Sequence, residues 1–178
     1  MVTVTLYTIG HSTRSQAEFL ALLRAHEIAT LVDIRAFPAS RRLPHFNREN
    51  LEAALRAEGI NYVWMKALGG RRGKQREDSP NVALRNPSFR NYANYMLTSE
   101  FQTAAQELEK LAAQSRIAIM CAEAVFFRCH RMLVSDYFAL RGHQVLHIQD
   151  AGTARPHKVT EAARLIDEQM IYRGDRLL

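Results

Sequence analysis

The residues best suited to chemistry crowd into one short segment, Cys121-Ala-Glu123-Ala-Val-Phe-Phe-Arg128-Cys129-His130-Arg131. It offers two thiols, a carboxylate, an imidazole and two guanidinium groups. A cysteine that ends a strand and precedes a helix N-terminus sits where free N–H groups and the helix dipole favour negative charge. Such a position lowers a thiol pKa. The pattern therefore predicts Cys121 as the activated thiol and Glu123 as the group that moves a proton. Arg128, His130 and Arg131 are the predicted anion-holding side chains. The competing reading is plain packing, with Cys121 a small core residue and Cys129 filling the helix start.

Three chemistries fit a segment of this kind. A nucleophilic Cys121 would resemble cysteine phosphatases and sulfurtransferases, which use a strand, cysteine, loop, arginine and helix in that order. Six residues separate Cys121 from Arg128 here, one more than the phosphatase loop has, and the loop lacks glycine. A redox pair of Cys121 and Cys129 is spaced more widely than C-x-x-C. Zinc held by Cys121, Cys129, His130 and His11 matches no standard ligand spacing, and adjacent Cys129 and His130 converge poorly on one ion. Neither a metal nor a cofactor is expected.

Further candidates stand after other strand-like runs. His11 follows Gly10, with Ser12 and Thr13 as additional anion donors and His11 as an acid/base group. Asp33 and Arg35 are two apart and share one face of a strand. They pair with each other, or Asp33 orients His11 or Arg131. The chain carries a formal net charge of +6. Two stretches without acids concentrate it: Lys66, Arg71, Arg72, Lys74 and Arg76 in one, Arg35, Arg41, Arg42 and Arg48 in the other. Such patches attract phosphate, nucleic acid included, unless they are only a solvated face. Gly69 and Gly70 give the first stretch tight backbone geometry beside Arg71 and Arg72.

The elements that must position these residues are legible from periodicity. Thr3 to Ile9, Thr30 to Ile34, Asn61 to Met65, Arg116 to Cys121 and Gln144 to Ile148 read as strands. Helices are predicted from Ser15 with a Ser15–Glu18 capping box, from Asn47 to Glu58, from Ser88 to Leu97, from Ser99 to Ala113 with a Ser99–Gln102 box, and from Cys129 to Leu140. Gly69 to Pro87 is a long basic loop, a common carrier of function. A short helix from Thr160 to about Gln169 precedes a loose end. Alternating strands and helices imply an α/β fold: one three-layer domain over residues 1–178, a mostly parallel sheet of about five strands, helices on both faces, and a tail from about 150 that packs on it or is partly loose. Ligands in such sheets bind beyond the carboxyl ends of the strands. His11, Asp33, the basic loop and Cys121 all fall at that edge.

Seven motifs identify a resemblance. Thr-Ile-Gly-His-Ser (8–12), Asp-Ile-Arg (33–35), Leu-Gly-Gly (68–70), Asp-Ser-Pro-Asn (78–81), Arg-Asn-Pro-Ser-Phe-Arg (85–90), Met-Cys-Ala-Glu-Ala (120–124) and Cys-His-Arg (129–131) together resemble the uncharacterised family known as domain of unknown function 488. The likeness runs from Tyr7 to about Val159. Phe126-Phe127 stands where relatives often carry Pro-Trp, which alters the turn of that loop. The family carries no assigned activity, so the resemblance supports site and fold and supplies no reaction.

The sequence excludes several classes. No apolar run approaches a membrane span, the N-terminus is not a signal peptide, and two cysteines are too few for a disulfide scaffold. A cytoplasmic protein with reduced thiols and no membrane partner is expected. The favoured function is an enzyme acting on a phosphate-bearing small molecule, a nucleotide or nucleic acid. The alternative is a non-catalytic nucleic-acid-binding module that uses the basic loops, with Phe126 or Tyr62 stacking bases.

Overall fold

A computed structural model describes residues 2–174. Its main sheet has the order β3-β2-β4-β1-β5-β6. The strands are β1 (Thr5–Gly10), β2 (Thr30–Asp33), β3 (Asn61–Trp64), β4 (Ile117–Cys121), β5 (Gln144–Ile148) and β6 (Arg155–Pro156). The first five run parallel, and β6 adds antiparallel to β5. The mostly parallel α/β sheet is as expected, one short strand wider than the predicted five.

Strand β4 explains the layering. All five of its residues are buried, as a strand covered on both faces requires. Ile117 and Ile119 enter one core with Leu6, Val32 and Val145, while Ala118 and Met120 enter the other with Ile9 and Leu31. Helices α1 (Gln16–Ala25) and α2 (Arg48–Ala57) cover the second face through Phe19, Leu23, Leu51 and Leu55. Helices α3 (Pro87–Tyr95), α4 (Ser99–Gln114) and α5 (Arg131–Leu140) cover the first through Tyr92, Phe101, Leu108, Leu133 and Phe138. Among the described residues no helix is long and apolar enough to cross a membrane.

Helix starts follow local chemistry, with revisions. Ser15 and Glu18 form the expected reciprocal box on α1. On α4 the cap is Thr98, whose Oγ1 accepts from the Phe101 N–H, and not a Ser99–Gln102 box. Gln102 instead donates to the Met96 carbonyl. Asn47 precedes α2 without capping it, because its side chain turns back to accept from the Ser40 N–H. Asn86 caps α3 with Pro87 in its first turn. Helix α5 begins at Arg131, two residues later than predicted, because residues 126–128 close a separate 3-10 turn.

The tail departs most from expectation. The predicted helix from Thr160 to Gln169 is instead a hairpin of β7 (Ala163–Ile166) and β8 (Gln169–Tyr172). Asp167 and Glu168 both take left-handed φ, 48° and 63°, the geometry that matches the twist of paired strands. Glu, Ala, Arg and Leu there favour helix in isolation, but pairing and burial win. Met170 and Tyr172 are sealed in the core, so this end of the described chain is packed.

Candidate active site

Two polar clusters form at the carboxyl ends of the strands. The first is built on β2. Asp33 and Arg35 are both buried and pair bidentately: Nε donates to Oδ1 at 2.9 Å and Nη2 to Oδ2 at 2.7 Å. The Arg35 backbone N–H adds a bond to Oδ1 at 3.1 Å, and the Tyr62 hydroxyl donates to Oδ2 at 2.6 Å. The carboxylate is thus saturated. Its lone pairs are spent on Arg35 and Tyr62, so in this arrangement Asp33 positions Arg35. The Tyr62 hydroxyl is thereby tied into this cluster.

His11 leans on this cluster. Its Nδ1–H donates to the Ser12 carbonyl at 2.8 Å, leaving Nε2 as the acceptor that faces Arg35 Nη1 at 3.5 Å. The ring stacks on Phe46 with centroids 4.2 Å apart. Burial, with the Arg35 charge, pulls its pKa down to about 4, so the ring is neutral near pH 7. Ser12 holds a left-handed φ of 52°, and its N–H already donates to the Ala122 carbonyl at 2.9 Å. Thr13 is exposed. The β1–α1 turn therefore continues the β1–β4 ladder, and the Ser12 amide is not available as an anion donor.

The second cluster lies at the end of β4. Cys121 and Cys129 are free and buried. Their sulfurs and His130 Nδ1 all lie within 4.8 Å of one another. Cys121 Sγ is 3.9 Å from that nitrogen. His130 Nε2–H donates to the Ile34 carbonyl at 2.9 Å, which fixes the tautomer and turns an unprotonated Nδ1 toward the sulfurs. Burial holds the His130 pKa near 4. Cys129 Sγ accepts from the Arg131 backbone N–H at 3.4 Å and from Nε at 3.3 Å.

Those bonds reverse the expected order of the thiols. The Cys129 pKa is lowered, first by hydrogen bonding with Cys121 and then by the charge and N–H groups of Arg131. Cys121 is pushed up, first by that same bond and then by burial. Arg131 stands beside Cys129 and favours negative charge on that sulfur. A sequence places Cys121 at the strand end, but it does not reveal which sulfur Arg131 reaches.

Arg131 is an interior residue, 1% exposed. Nη2 bonds the Glu123 carbonyl at 2.5 Å and the Ala124 carbonyl at 3.4 Å, so the guanidinium clamps the 122–124 loop. Gly10 makes room for that clamp. A Cβ there would stand 1.8 Å from the Glu123 oxygen and 2.8 Å from Arg131 Nη2. Gly70 serves the other side, since a Cβ there would be 2.4 Å from His130 Nδ1. Gly69 likewise lets its loop approach Ala36. The predicted glycines act through close approach and not through special backbone angles.

The remaining predicted residues divide between rim and interior. The Glu123 and Arg128 side chains are exposed at the rim. Arg71 is exposed, with its guanidinium 5.7 Å from the ring of Phe37, itself 64% exposed. Arg72 is a staple: it stacks on Tyr95 at 3.7 Å and donates to the carbonyls of Lys66, Ala67 and Gly69. Lys74 pairs with Glu77 and Arg76 with Asp78. Arg41 and Arg42 are exposed.

One feature escaped the sequence reading. Asp136, a carboxylate that can only accept, takes the His157 Nε2–H at 2.8 Å. His157 Nδ1 then accepts from His147 Nε2–H at 2.9 Å, and His147 Nδ1 from the Thr8 hydroxyl at 2.7 Å. The Thr8 oxygen takes Arg131 Nη1–H at 3.3 Å. A buried file of hydrogen bonds thus joins the cluster to Asp136, which also holds the Tyr172 hydroxyl at 2.8 Å. Phe126, considered as a base-stacking residue, stacks instead on His147 at 3.6 Å. The available signal was the parallel register that sets Thr8 opposite His147; nothing in sequence ties His157 or Asp136 to it.

A parallel α/β sheet with a buried Cys–Cys–His–Arg group at the carboxyl end of an inner strand defines the class. The chain belongs to the family described as Domain of unknown function DUF488, whose model matches residues 15–138, more than half of the chain. No curated protein and no solved structure matches it.

Proposed function

We propose that the protein is a cytoplasmic enzyme acting on a phosphate-bearing substrate, a nucleotide or nucleic acid, at the Cys121–Cys129–His130–Arg131 cluster. One observation carries this reading. The Arg131 guanidinium is buried, and among the described residues no carboxylate pairs with it. A buried guanidinium whose only acidic neighbour is the Cys129 sulfur is less fully balanced than one paired with a carboxylate. A cluster that pairs it only with a thiol group is suited to receive an anion. The exposed Arg128, and the exposed Arg71, Arg41 and Arg42 of the basic loops, would attract that anion, and the exposed Glu123 carboxylate is free to move a proton. Asp33, Arg35 and His11 serve as supports. Two free thiols in the interior agree with a reducing compartment.

The test is a panel of phosphate esters, nucleotides and short oligonucleotides at low salt. It is read by turnover and by protection of the thiols from alkylation. At least one ligand is expected to slow alkylation, and Cys129→Ser and Glu123→Gln to abolish its turnover without unfolding. If no phosphate-bearing ligand protects the thiols, the reading fails.

A second reading rests on a different observation. Arg71 over the exposed Phe37 brings the two basic loops together as an aromatic and cationic platform, the pairing that single-stranded nucleic acid uses. A binding module predicts affinity that survives Cys129→Ser and is lost when Arg41, Arg42 and Arg71 are neutralised.

A further inference from the structure

We propose that Cys121, Cys129 and His130 form a binding site for one soft divalent metal ion, Zn2+ being the class that fits, with a fourth coordination position left to water or substrate. The inference deepens the reading above. Use of the ion in phosphate chemistry rests on that reading, but binding of the ion does not.

The donor geometry is the first support. Zinc takes thiolate sulfur at about 2.3 Å and imidazole nitrogen at about 2.0–2.1 Å, so tetrahedral donors stand roughly 3.5–3.8 Å apart. Cys121 Sγ and His130 Nδ1 are 3.9 Å apart, and all three donor atoms lie within 4.8 Å of one another. Small side-chain rotations close that gap. The objection that neighbouring residues converge poorly is met by the backbone. Cys129 is extended (φ −139°, ψ 172°) and His130 helical (φ −60°, ψ −12°). That abrupt change lets two consecutive side chains reach one point.

The second support is the surrounding shell. A metal-bound histidine characteristically donates its other ring N–H to a carbonyl or carboxylate. His130 does so to Ile34 at 2.9 Å. Bound thiolates are steadied by N–H donors. Cys129 has two, from Arg131. Two sulfurs and one imidazole select borderline-soft ions over Mg2+ or Ca2+. Among the described residues no further His, Cys, Asp or Glu joins the group. Three protein ligands and an open position are the pattern of catalytic zinc.

Charge ties the site to its substrate. Two thiolates neutralise a divalent ion and leave Arg131, bonded to Cys129, as an unbalanced positive charge. A phosphate oxyanion would balance it.

The experiment uses the full chain, purified under reducing conditions without chelator. Metal content is measured, the protein is then stripped and titrated with Co2+, and Zn2+ is added in competition. One zinc per chain and a tetrahedral cobalt spectrum with sulfur-to-cobalt charge transfer are expected. Cys121→Ser and Cys129→Ser should lose the charge-transfer band and weaken binding on the order of 100-fold or more. His45→Gln, outside the cluster, should change neither. Circular dichroism identifies variants that fail to fold, and for those the wild-type cobalt spectrum decides. Wild-type protein that retains no ion, shows no cobalt spectrum and has freely reacting thiols overturns the site and leaves the bare sulfur as the reactive group. A Cys121–Cys129 disulfide without metal overturns it as well. An ion bound with no phosphate ligand recognised confirms the site and sinks the phosphate reading instead.

Discussion

The two clusters at the strand ends hold similar residue types and differ in how completely they are satisfied. Around Asp33 every acceptor is spent: Arg35 and Tyr62 saturate the carboxylate, and the second face of Arg35 meets His11. Around Cys129 the partners are weak. Sulfur accepts at 3.3–3.4 Å, and the buried Arg131 has carbonyls, a hydroxyl and a sulfur for company, but no carboxylate. A saturated network contributes stability and specificity. An incomplete one stores reactivity, because its missing partner can be a ligand. Substitutions in the two clusters should therefore fail in different ways.

The largest effect is expected at Asp33. Asp33→Ala strands a buried guanidinium and should cost about 3–5 kcal/mol, as breaking one side of a buried pair does. Urea unfolding measures it. The double variant Asp33→Ala with Arg35→Met should recover much of the loss, because the stranded charge is gone. A single variant that unfolds like wild type would show that the β2 cluster is not the structural one.

Acid should expose one histidine from each region. His11 is held near 4, and His147 near 3, the latter by burial and by the charges of His157 and Arg131. Unfolded histidine titrates near 6.5. Between those values the unfolded state binds more protons, so stability rises with pH and is lost as pH falls from about 6.5 towards 4. Each group should contribute a loss on the order of 1–3 kcal/mol by pH 4. The midpoint of thermal unfolding across that range checks it. A flat profile would mean that the unfolded chain holds these rings in similar surroundings.

Sequence reading located the edge and misjudged the connections. Periodicity found β1 to β5 and their helices because those runs have one dominant period and clear caps. The hairpin at 163–172 was missed because its Asp-Glu turn lacks the glycine that advertises a hairpin. At the site, Asp33 with Arg35 was readable, since two-residue spacing on one strand leaves little freedom. The approach of Cys121 to Cys129 was one alternative among several, because spacing does not settle an eight-residue excursion, which here is held by Arg131 at the Glu123 and Ala124 carbonyls. The Thr8–His147–His157–Asp136 file spans β1, β5, α5 and the segment after β6, and no local pattern encodes it.

In the second cluster, Cys121→Ser and Cys129→Ser should each cost only about 1 kcal/mol of stability, since a hydroxyl fills nearly the same space and finds the same N–H donors. They should nonetheless remove function. A chemical denaturation curve close to wild type, alongside loss of turnover or of metal, is the signature of an unsaturated site. A cost like that of Asp33→Ala would place the thiols with the structural network instead.

The rim should show the smallest change in stability and a distinct change in binding. Arg41, Arg42 and Arg71 are exposed, and replacing each with Ala should move stability by no more than about 0.5 kcal/mol. If they gather a polyanion, each should lower the salt dependence of nucleic-acid binding by about one counterion. Arg72 is the internal control. It sits in the same basic run but is stapled to three carbonyls and stacked on Tyr95. Arg72→Ala should therefore destabilise the fold and leave the salt slope unchanged. Two adjacent arginines separated in this way, one by affinity and one by stability, would carry the contrast between satisfied and unsatisfied groups from the interior to the surface. Equal behaviour of Arg71 and Arg72 would erase that contrast at the rim and confine it to the buried clusters.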